Sequence, residues 1–405
     1  MKFKIIFLIF LIFISNAVAF VINVTVIKLD LILSVITFFI IFKKFNLKLI
    51  LLPLIFLLNG LITSIKFGDN TVGVFLNYVM LVFFILFFEN IKETFSFESL
   101  FKGYVLAAKF CVFFGVIQII SFFLSFLFNL NFFVQIYDPR PLLNTAPISY
   151  AGILPKLSSF FTEPSYLSCF LLPYLIISFN NLKTTFYRYF LLFSTLLVFV
   201  FTFSSIGIAS LSLYFVCKFS NFKQFFSIKN YFFILLIILF VFNNESIYLR
   251  FSQLGESDLV EINLSSMVYV LNLNLILSSF NWQYLWGYGL DTYQIVVGHY
   301  YDSSSIKEGI QKIYEKSDFM INGAPTLFFR FFVEFGVIGY FFLLKKFKFY
   351  YLKSPFFFGF LAFCLRSGEY LRFDTLFFLF MFISFKGTDI LYLSNKNNKC
   401  NINQL

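Results

Sequence analysis

The chain has 405 residues, of which 60% are hydrophobic and only 13% are charged, and phenylalanine alone accounts for 70 of them. No water-soluble domain could bury this much apolar surface, so the composition excludes a soluble globular protein. The formal net charge of +11 comes from short basic clusters between apolar runs, which argues against a nucleic-acid partner and is typical of a multi-pass membrane protein.

The N-terminus has a basic start, an apolar stretch and an Ala-x-Ala sequence that ends at Ala19, a pattern that resembles a signal peptide. The apolar run continues through residues 21–27, however, so the stretch is long enough to cross a bilayer. We therefore predict an uncleaved first span over residues 5–27, with a cleaved signal peptide as the alternative. Residues 29–42 then form the second span.

Clusters of Lys and Arg mark the cytoplasmic side, and the chain must cross an even number of times between successive clusters. The further single spans predicted in this way are residues 49–65, 72–88, 103–130, 164–180, 230–244 and 326–344. Residues 189–217 and 355–385 are each too long for one span and short for two. We predict a pair of short spans in each, turning at 202–207 and 365–374.

The predicted fold is an all-α polytopic membrane helix bundle with about twelve transmembrane helices, at roughly 20 residues per span. Residues 1–405 form a single domain, and both termini are cytoplasmic. A smaller external loop covers residues 131–160. A large external loop covers residues 245–325 and contains short helices, including an amphipathic one at 260–280. Loops this long are usually functional or disordered, and its aromatic and apolar content argues against disorder.

Glu163 and Pro164 stand where an apolar run begins. Proline is favoured in the first helical turn and a carboxylate there complements the helix dipole, so a helix cap is the simplest explanation. The wider segment 152–168 resembles a motif of the O-antigen polymerase and ligase superfamily, in which a basic residue precedes Glu-Pro by several positions. Lys156 takes the basic position, which is usually Arg, and Glu163 and Pro164 match directly.

Two later segments extend the resemblance. Residues 281–293 resemble the Gly-x-Gly segment of the family's large external loop, with Gly287 and Gly289 at the glycine positions. Residues 321–344 resemble the segment that closes this loop. That segment has an Asn and then a helix with Glu-x-Gly-x-x-Gly, which are here Asn322, Glu334, Gly336 and Gly339. The two helix glycines more simply permit close packing.

Two departures favour the polymerase over the ligase. Ligases of the superfamily typically carry a His just before the Asn, where this chain has Met320 and Ile321. Many relatives also have an Arg after a Ser pair early in the loop, where this chain reads LSSMVYV. His299, the only histidine, lies too far upstream to replace the ligase residue.

The resemblance implies an enzyme that polymerises polyprenyl-diphosphate-linked oligosaccharide repeat units into O-antigen or a similar surface polysaccharide. The reaction takes place at the outer face of the bacterial inner membrane, and the partners are the lipid-linked oligosaccharide, membrane lipids and a chain-length regulator protein. No metal-ligand spacing is present, so we expect no metal and no cofactor. The alternatives are a ligase that transfers glycan to the lipid A-core, and a flippase. Flippases commonly show matching halves, which this chain lacks.

The leaving group of such a reaction is an anionic lipid diphosphate, which Arg and Lys neutralise, and the acceptor hydroxyl needs a base. The candidate catalytic residues are Glu163, Arg250 and Arg366. The candidate substrate-binding residues are Lys156, Arg140, Arg330 and Arg372.

Four of the five candidate arginines also have a simpler explanation. Arg330 could pair with Glu334 four residues later, and Arg366 could pair with Glu369. Arg372 could extend to the surface, and Arg250 could be an interface anchor.

Overall fold

The computed structural model describes residues 2–15, 19–22, 25–47, 51, 53–68, 71–128, 150–151, 154–157, 159, 161, 163–180, 186–218, 272–273, 276–277, 279–302, 326–346, 354–367 and 371–384. The predicted span 230–244 and the candidates Arg140 and Arg250 lie outside these residues. So do most of the two predicted external loops, including the greater part of the amphipathic segment 260–280.

The described residues are mainly helical. The thirteen helices that they form are α1 (Lys2–Ile14), α2 (Leu29–Ile41), α3 (Leu54–Phe67), α4 (Thr71–Thr94), α5 (Phe97–Phe128), α6 (Pro164–Asn180), α7 (Phe186–Phe201), α8 (Ser205–Lys218), α9 (Gln283–Trp286), α10 (Tyr293–Asp302), α11 (Leu327–Lys346), α12 (Pro355–Arg366) and α13 (Phe373–Ser384). Two short antiparallel hairpins join β1 (Ala19–Ile22) to β2 (Thr25–Lys28), and β3 (Tyr150–Ala151) to β4 (Leu154–Pro155).

The prediction of one continuous span over residues 5–27 is wrong. Helix α1 ends at Ile14, and the second half of the apolar run forms the β1–β2 hairpin instead. The hairpin is rich in Val, Ile and Thr, whose branched side chains fit a pleated strand better than a helix. This apolar run is thus long enough to cross a membrane, but it does not form one continuous helix.

Helices lie at the other predicted positions inside the described residues. Helix α6 begins and ends at the predicted bounds. Residues 189–217 contain α7 and α8, and residues 355–385 contain α12 and α13, so each stretch holds two short helices as predicted. The first turns after Phe201 and the second after Arg366, as predicted. Helix α5 begins six residues before the predicted 103, because no helix breaker stands between Phe97 and the apolar run.

Helix α6 is the centre of the bundle. All residues from Leu167 to Ile177 on this helix are buried, and it packs against α7, α8, α12 and α5. A helix that is apolar all round is buried in a protein core or in a membrane, and the neighbours of α6 here are other helices. The contact with α12 is close, because a Cβ on Gly359 would lie 2.4 Å from Cγ of Pro173.

Aromatic rings fill the space around α6. Phe13 of α1 contacts Phe170 of α6 and Phe377 of α13, with ring centroids 4.9 and 5.0 Å apart. The Tyr104 hydroxyl donates to the backbone oxygen of Phe170 at 2.8 Å, so the one polar atom of that ring is satisfied. These contacts join the first, middle and last helices into one core, and they place the N-terminus of α6 at the end of a packed bundle.

Two described helices, α4 and α5, are long and apolar enough to cross a membrane. Seven further apolar helices have 10–17 residues: α2, α3, α6, α7, α8, α12 and α13. At 1.5 Å per residue the 12 residues of α12 extend about 18 Å, which is shorter than a bilayer core of about 30 Å.

Candidate functional site

A cluster of charged side chains lies where α6 begins and α12 ends. Arg366, the last residue of α12, forms an ion pair with Glu163, the residue before α6. Its Nε also donates to Oγ of Ser165 at 2.5 Å. The two ion-pair partners are 203 residues apart in sequence, and the packing of α12 against α6 brings them together.

The Glu163 side chain does not act as the cap of α6 in the described residues. The backbone oxygen of Glu163 accepts from the amides of Tyr166 and Leu167, so the main chain begins the helix. The carboxylate contacts Arg366 and the Ser165 hydroxyl, which lies 3.3 Å from Oε2. The carboxylate therefore faces the C-terminus of α12, and capping does not explain its position.

A second arginine, Arg372, lies beneath this pair. Its guanidinium carbon is 3.8 Å from the centroid of the Tyr166 ring, and that of Arg366 is 5.1 Å from the same centroid. Asp374 receives two hydrogen bonds from Arg372, at 3.2 Å from Nε and 2.9 Å from Nη2. The Tyr166 ring thus contacts two cations, each balanced by its own carboxylate.

The prediction that Arg372 extends to the surface is wrong. The residue is 8% exposed and Asp374 is fully buried. The cause is local, because Asp374 lies in the first turn of α13, where a carboxylate complements the helix dipole and accepts from the Thr375 amide at 2.8 Å. Arg372 is drawn inward to this carboxylate and to the Tyr166 ring.

The two ion pairs differ in access. In the outer pair the side chains of Arg366 and Glu163 are 29% and 44% exposed, whereas the inner pair is buried. The outer pair can therefore exchange contacts with a ligand, while the inner pair holds a fixed positive charge behind it. The arrangement is suited to binding an anion and to positioning a carboxylate beside it.

Lys156 lies at the same end of the bundle. The neighbouring Leu157 amide donates to the backbone oxygen of Phe201 at 3.0 Å, at the end of α7, and Lys156 itself is half-buried. Ser159 Oγ donates to the Cys111 backbone oxygen at 3.3 Å. The segment before α6 is thus held against α5 and α7.

The two glycine motifs form a second cluster. Tyr288 and Gly289 donate their amides to the backbone oxygens of Val333 and Glu334, at 2.8 and 2.9 Å. A Cβ on Gly287 would lie 2.3 Å from the Glu334 oxygen, so only glycine fits there. Gly336 has φ of 66° and lies against residues 285–287. Its predicted role in close helix packing is confirmed, and its neighbours are the end of the short helix α9 and Gly287.

Arg330 holds these motifs together. It contacts Glu334 and Asp291 at 2.7 Å each, so the predicted pairing with Glu334 is present. Asp291 was not a candidate, and the sequence signal that it offered was its position two residues after Gly289, within the Gly-x-Gly segment. Among the described residues, no three His, Cys, Asp or Glu side chains lie close enough to hold a metal ion.

Three residues of the first cluster were not recognised as candidates in the sequence. Ser165 and Tyr166 lie inside the Glu-Pro motif, and their helical positions become informative only when α12 is placed beside them. Asp374 stands two residues after Arg372, and this spacing was the available signal. The predicted alternative partner of Arg366, Glu369, lies outside the described residues.

Comparisons with protein-family models, with curated proteins and with solved structures found no match to this chain.

Proposed function

We propose that this chain is a membrane glycosyltransferase that polymerises polyprenyl-diphosphate-linked oligosaccharide repeat units into O-antigen or a similar surface polysaccharide. The observation that carries the proposal is the cluster of Glu163, Arg366 and Arg372 around Tyr166. It combines an accessible cation, a second cation behind it and an accessible carboxylate. These are the groups that transfer of a sugar from a lipid diphosphate requires.

The proposed setting is the inner membrane, with both termini in the cytoplasm and about twelve spans. The contacts of α6 with α7 and of α12 with α13 fit a chain that crosses repeatedly. In this threading the N-termini of α6 and α13 and the C-terminus of α12 point outward. The cluster then faces the outer leaflet, where the lipid-linked substrates lie.

Arg366 and Arg372 would bind the diphosphate of the donor. Arginine suits this role because its planar guanidinium contacts phosphate oxygens in pairs and keeps its charge at any relevant pH. Asp374 and the Tyr166 ring fix Arg372 in one orientation, whereas Arg366 is held by Glu163 and Ser165. A diphosphate that binds here would share the Arg366 guanidinium with Glu163, and the Glu163 carboxylate would keep its orientation.

Glu163 would then act on the acceptor. The acceptor hydroxyl oxygen attacks the anomeric carbon of the donor, and its proton passes to the Glu163 carboxylate. The bond between the anomeric carbon and the diphosphate oxygen breaks, and the polyprenyl diphosphate departs with the electron pair. The neighbouring guanidiniums stabilise the negative charge that develops on the leaving oxygen.

A cell that lacks the protein provides the test. Such a cell should keep single repeat units on its lipid core but lose long chains, because a polymerase acts between assembly of the unit and its final transfer. Loss of even the single unit would contradict the proposal and would indicate a ligase or a flippase instead. A chain-length regulator protein is the proposed partner, and its removal should change the length distribution without removing polymer.

A further inference from the structure

One stretch of the predicted external loop exposes only apolar side chains. Between residues 272 and 286 the exposed residues among those described are Leu273, Leu277, Phe280, Trp282 and Trp286, which are 44–82% exposed. Their buried neighbours include Asn272 and Tyr284. This pattern is the reverse of that expected for a loop in water, where the polar side chains would face the solvent and the apolar ones would be buried.

The following helix has the opposite character. The exposed residues of α10 that the structure describes are Gln294 and His299, both polar. Because both patterns occur within thirty residues of one loop, the difference is not explained by the apolar composition of the whole chain. It indicates that α10 faces water and that the stretch before it does not.

The chain between these two stretches lies deep along α3. The Leu290 amide donates to the backbone oxygen of Phe56 at 3.1 Å. Phe56 lies eleven residues before the end of α3, which is about 16 Å along the helix axis at 1.5 Å per residue. The Gly289 amide donates to the backbone oxygen of Glu334 on α11. Glu334 lies seven residues after Leu327, the first residue of α11, which is about 10 Å along the helix axis.

The non-helical backbone at this depth has its polar groups satisfied. Tyr288, Gly289 and Leu290 each donate an amide to α11 or α3, and Thr63 Oγ1 donates to the Tyr288 oxygen at 2.6 Å. Gly289, with φ of 100°, allows the close approach, because a Cβ there would lie 2.0 Å from the Gly60 nitrogen. Irregular backbone is tolerated at membrane depth only when it is enclosed and hydrogen-bonded in this way.

The exposed apolar stretch is also continuous with the outer surface of its neighbouring helices. Phe280 stacks on Phe332 of α11 with centroids 6.3 Å apart. Helix α11 exposes Val337 and Phe341 farther along, and α3 exposes Ile55, Leu58, Ile62 and Ile65. Leucine and phenylalanine suit the acyl chains, and the two indoles suit the boundary with the head groups, where an apolar ring and an N–H are both accommodated.

We propose that residues 279–290, together with Leu273 and Leu277, belong to a re-entrant element embedded in the outer leaflet, with Leu273, Leu277, Phe280, Trp282 and Trp286 facing lipid. The partner is the bilayer itself, rather than a glycan or a second copy of the chain. The proposal rests on the membrane placement given under the proposed function but not on the reaction.

The two tryptophans make the test direct, since the chain contains only these two. The full chain is reconstituted in phosphatidylcholine vesicles, with bromine at a defined depth on the acyl chains or with no bromine. We expect brominated lipid to remove most of the tryptophan emission, with the larger loss for the shallower bromine. We also expect aqueous iodide to remove little.

A control variant separates failure of this inference from failure of the membrane placement. Trp282 and Trp286 are replaced by Phe, and Phe113→Trp is added at an exposed position near the middle of α5, where deep bromine should quench it. Quenching of this control by bromine, together with iodide quenching of the native tryptophans, would overturn the re-entrant element alone. Absence of bromine quenching in both proteins would overturn the membrane placement and the inference with it. Protection of the native tryptophans from iodide by soluble oligosaccharide, without bromine quenching, would assign the stretch to glycan and contradict the proposal.

Discussion

Replacing Glu163 by glutamine should abolish long chains while leaving the amount of folded protein almost unchanged. The side chain is 44% exposed and its partner Arg366 is 29% exposed, so solvent screens the ion pair. Exposed pairs of this kind contribute about 0.2–1 kcal/mol to stability. The loss of a group that orients charge at the reacting atoms instead lowers the rate by about a hundredfold or more.

The assay measures both quantities on the same protein. Thermal unfolding in detergent reports stability, and the distribution of surface polysaccharide lengths reports activity. Glu98→Gln is the matched control, since Glu98 forms an ion pair with Lys102 at 2.7 Å that is similarly exposed and lies at the opposite end of the bundle in the proposed threading. This control should lose as little stability as Glu163→Gln and should keep normal chains.

A double variant tests whether Glu163 acts together with Arg366. If both serve one step, the loss of activity in Glu163→Gln with Arg366→Gln should be far smaller than the product of the two single losses. Glu163→Ala is also informative, because a capping role would lower stability on the order of 1 kcal/mol with activity per molecule intact. Normal chain length in Glu163→Gln would refute the catalytic role.

Three further predictions follow from the packing. Asp374→Asn should destabilise the protein by about 3–5 kcal/mol, because it leaves Arg372 buried without its carboxylate, and an unchanged thermal unfolding temperature would contradict this. Gly289→Ala should prevent accumulation of folded protein in the membrane, because its Cβ would meet the α3 backbone, and normal accumulation would count against the observed packing. Reporter fusions at Lys223 and Ser303 should lie on opposite sides of the membrane, and the same side for both would refute the threading.

Local chemistry allowed a substantial part of the fold to be predicted. The start of α6 followed from Glu163 and Pro164. The breaks between α7 and α8 and between α12 and α13 followed from short polar stretches inside apolar runs. These signals act within a few residues, so a sequence displays them. The N-terminal hairpin was missed because run length was weighed above the local β preference of Val, Ile and Thr.

The site was less accessible to prediction for a different reason. Glu163 and Arg366 were both candidates, but their contact depends on the packing of α12 against α6, which no local pattern specifies. Arg372 was a substrate-binding candidate with extension to the surface as the alternative, and the sequence did not show that it contacts the Tyr166 ring. Gly287 and Gly289 indicated that another part of the backbone approaches them closely, but they did not indicate that this backbone belongs to α3 and α11.

The most direct test of the central claim is reconstitution of the purified full chain in vesicles that contain polyprenyl-diphosphate-linked repeat units and no other protein. Products are released by mild acid and separated by length. We predict a ladder of chains that grows with time, together with release of one polyprenyl diphosphate for each bond formed, and that disappears in Glu163→Gln. Products that never exceed a single repeat unit with the natural chain, or glycan transferred only when lipid A-core is added, would contradict the account.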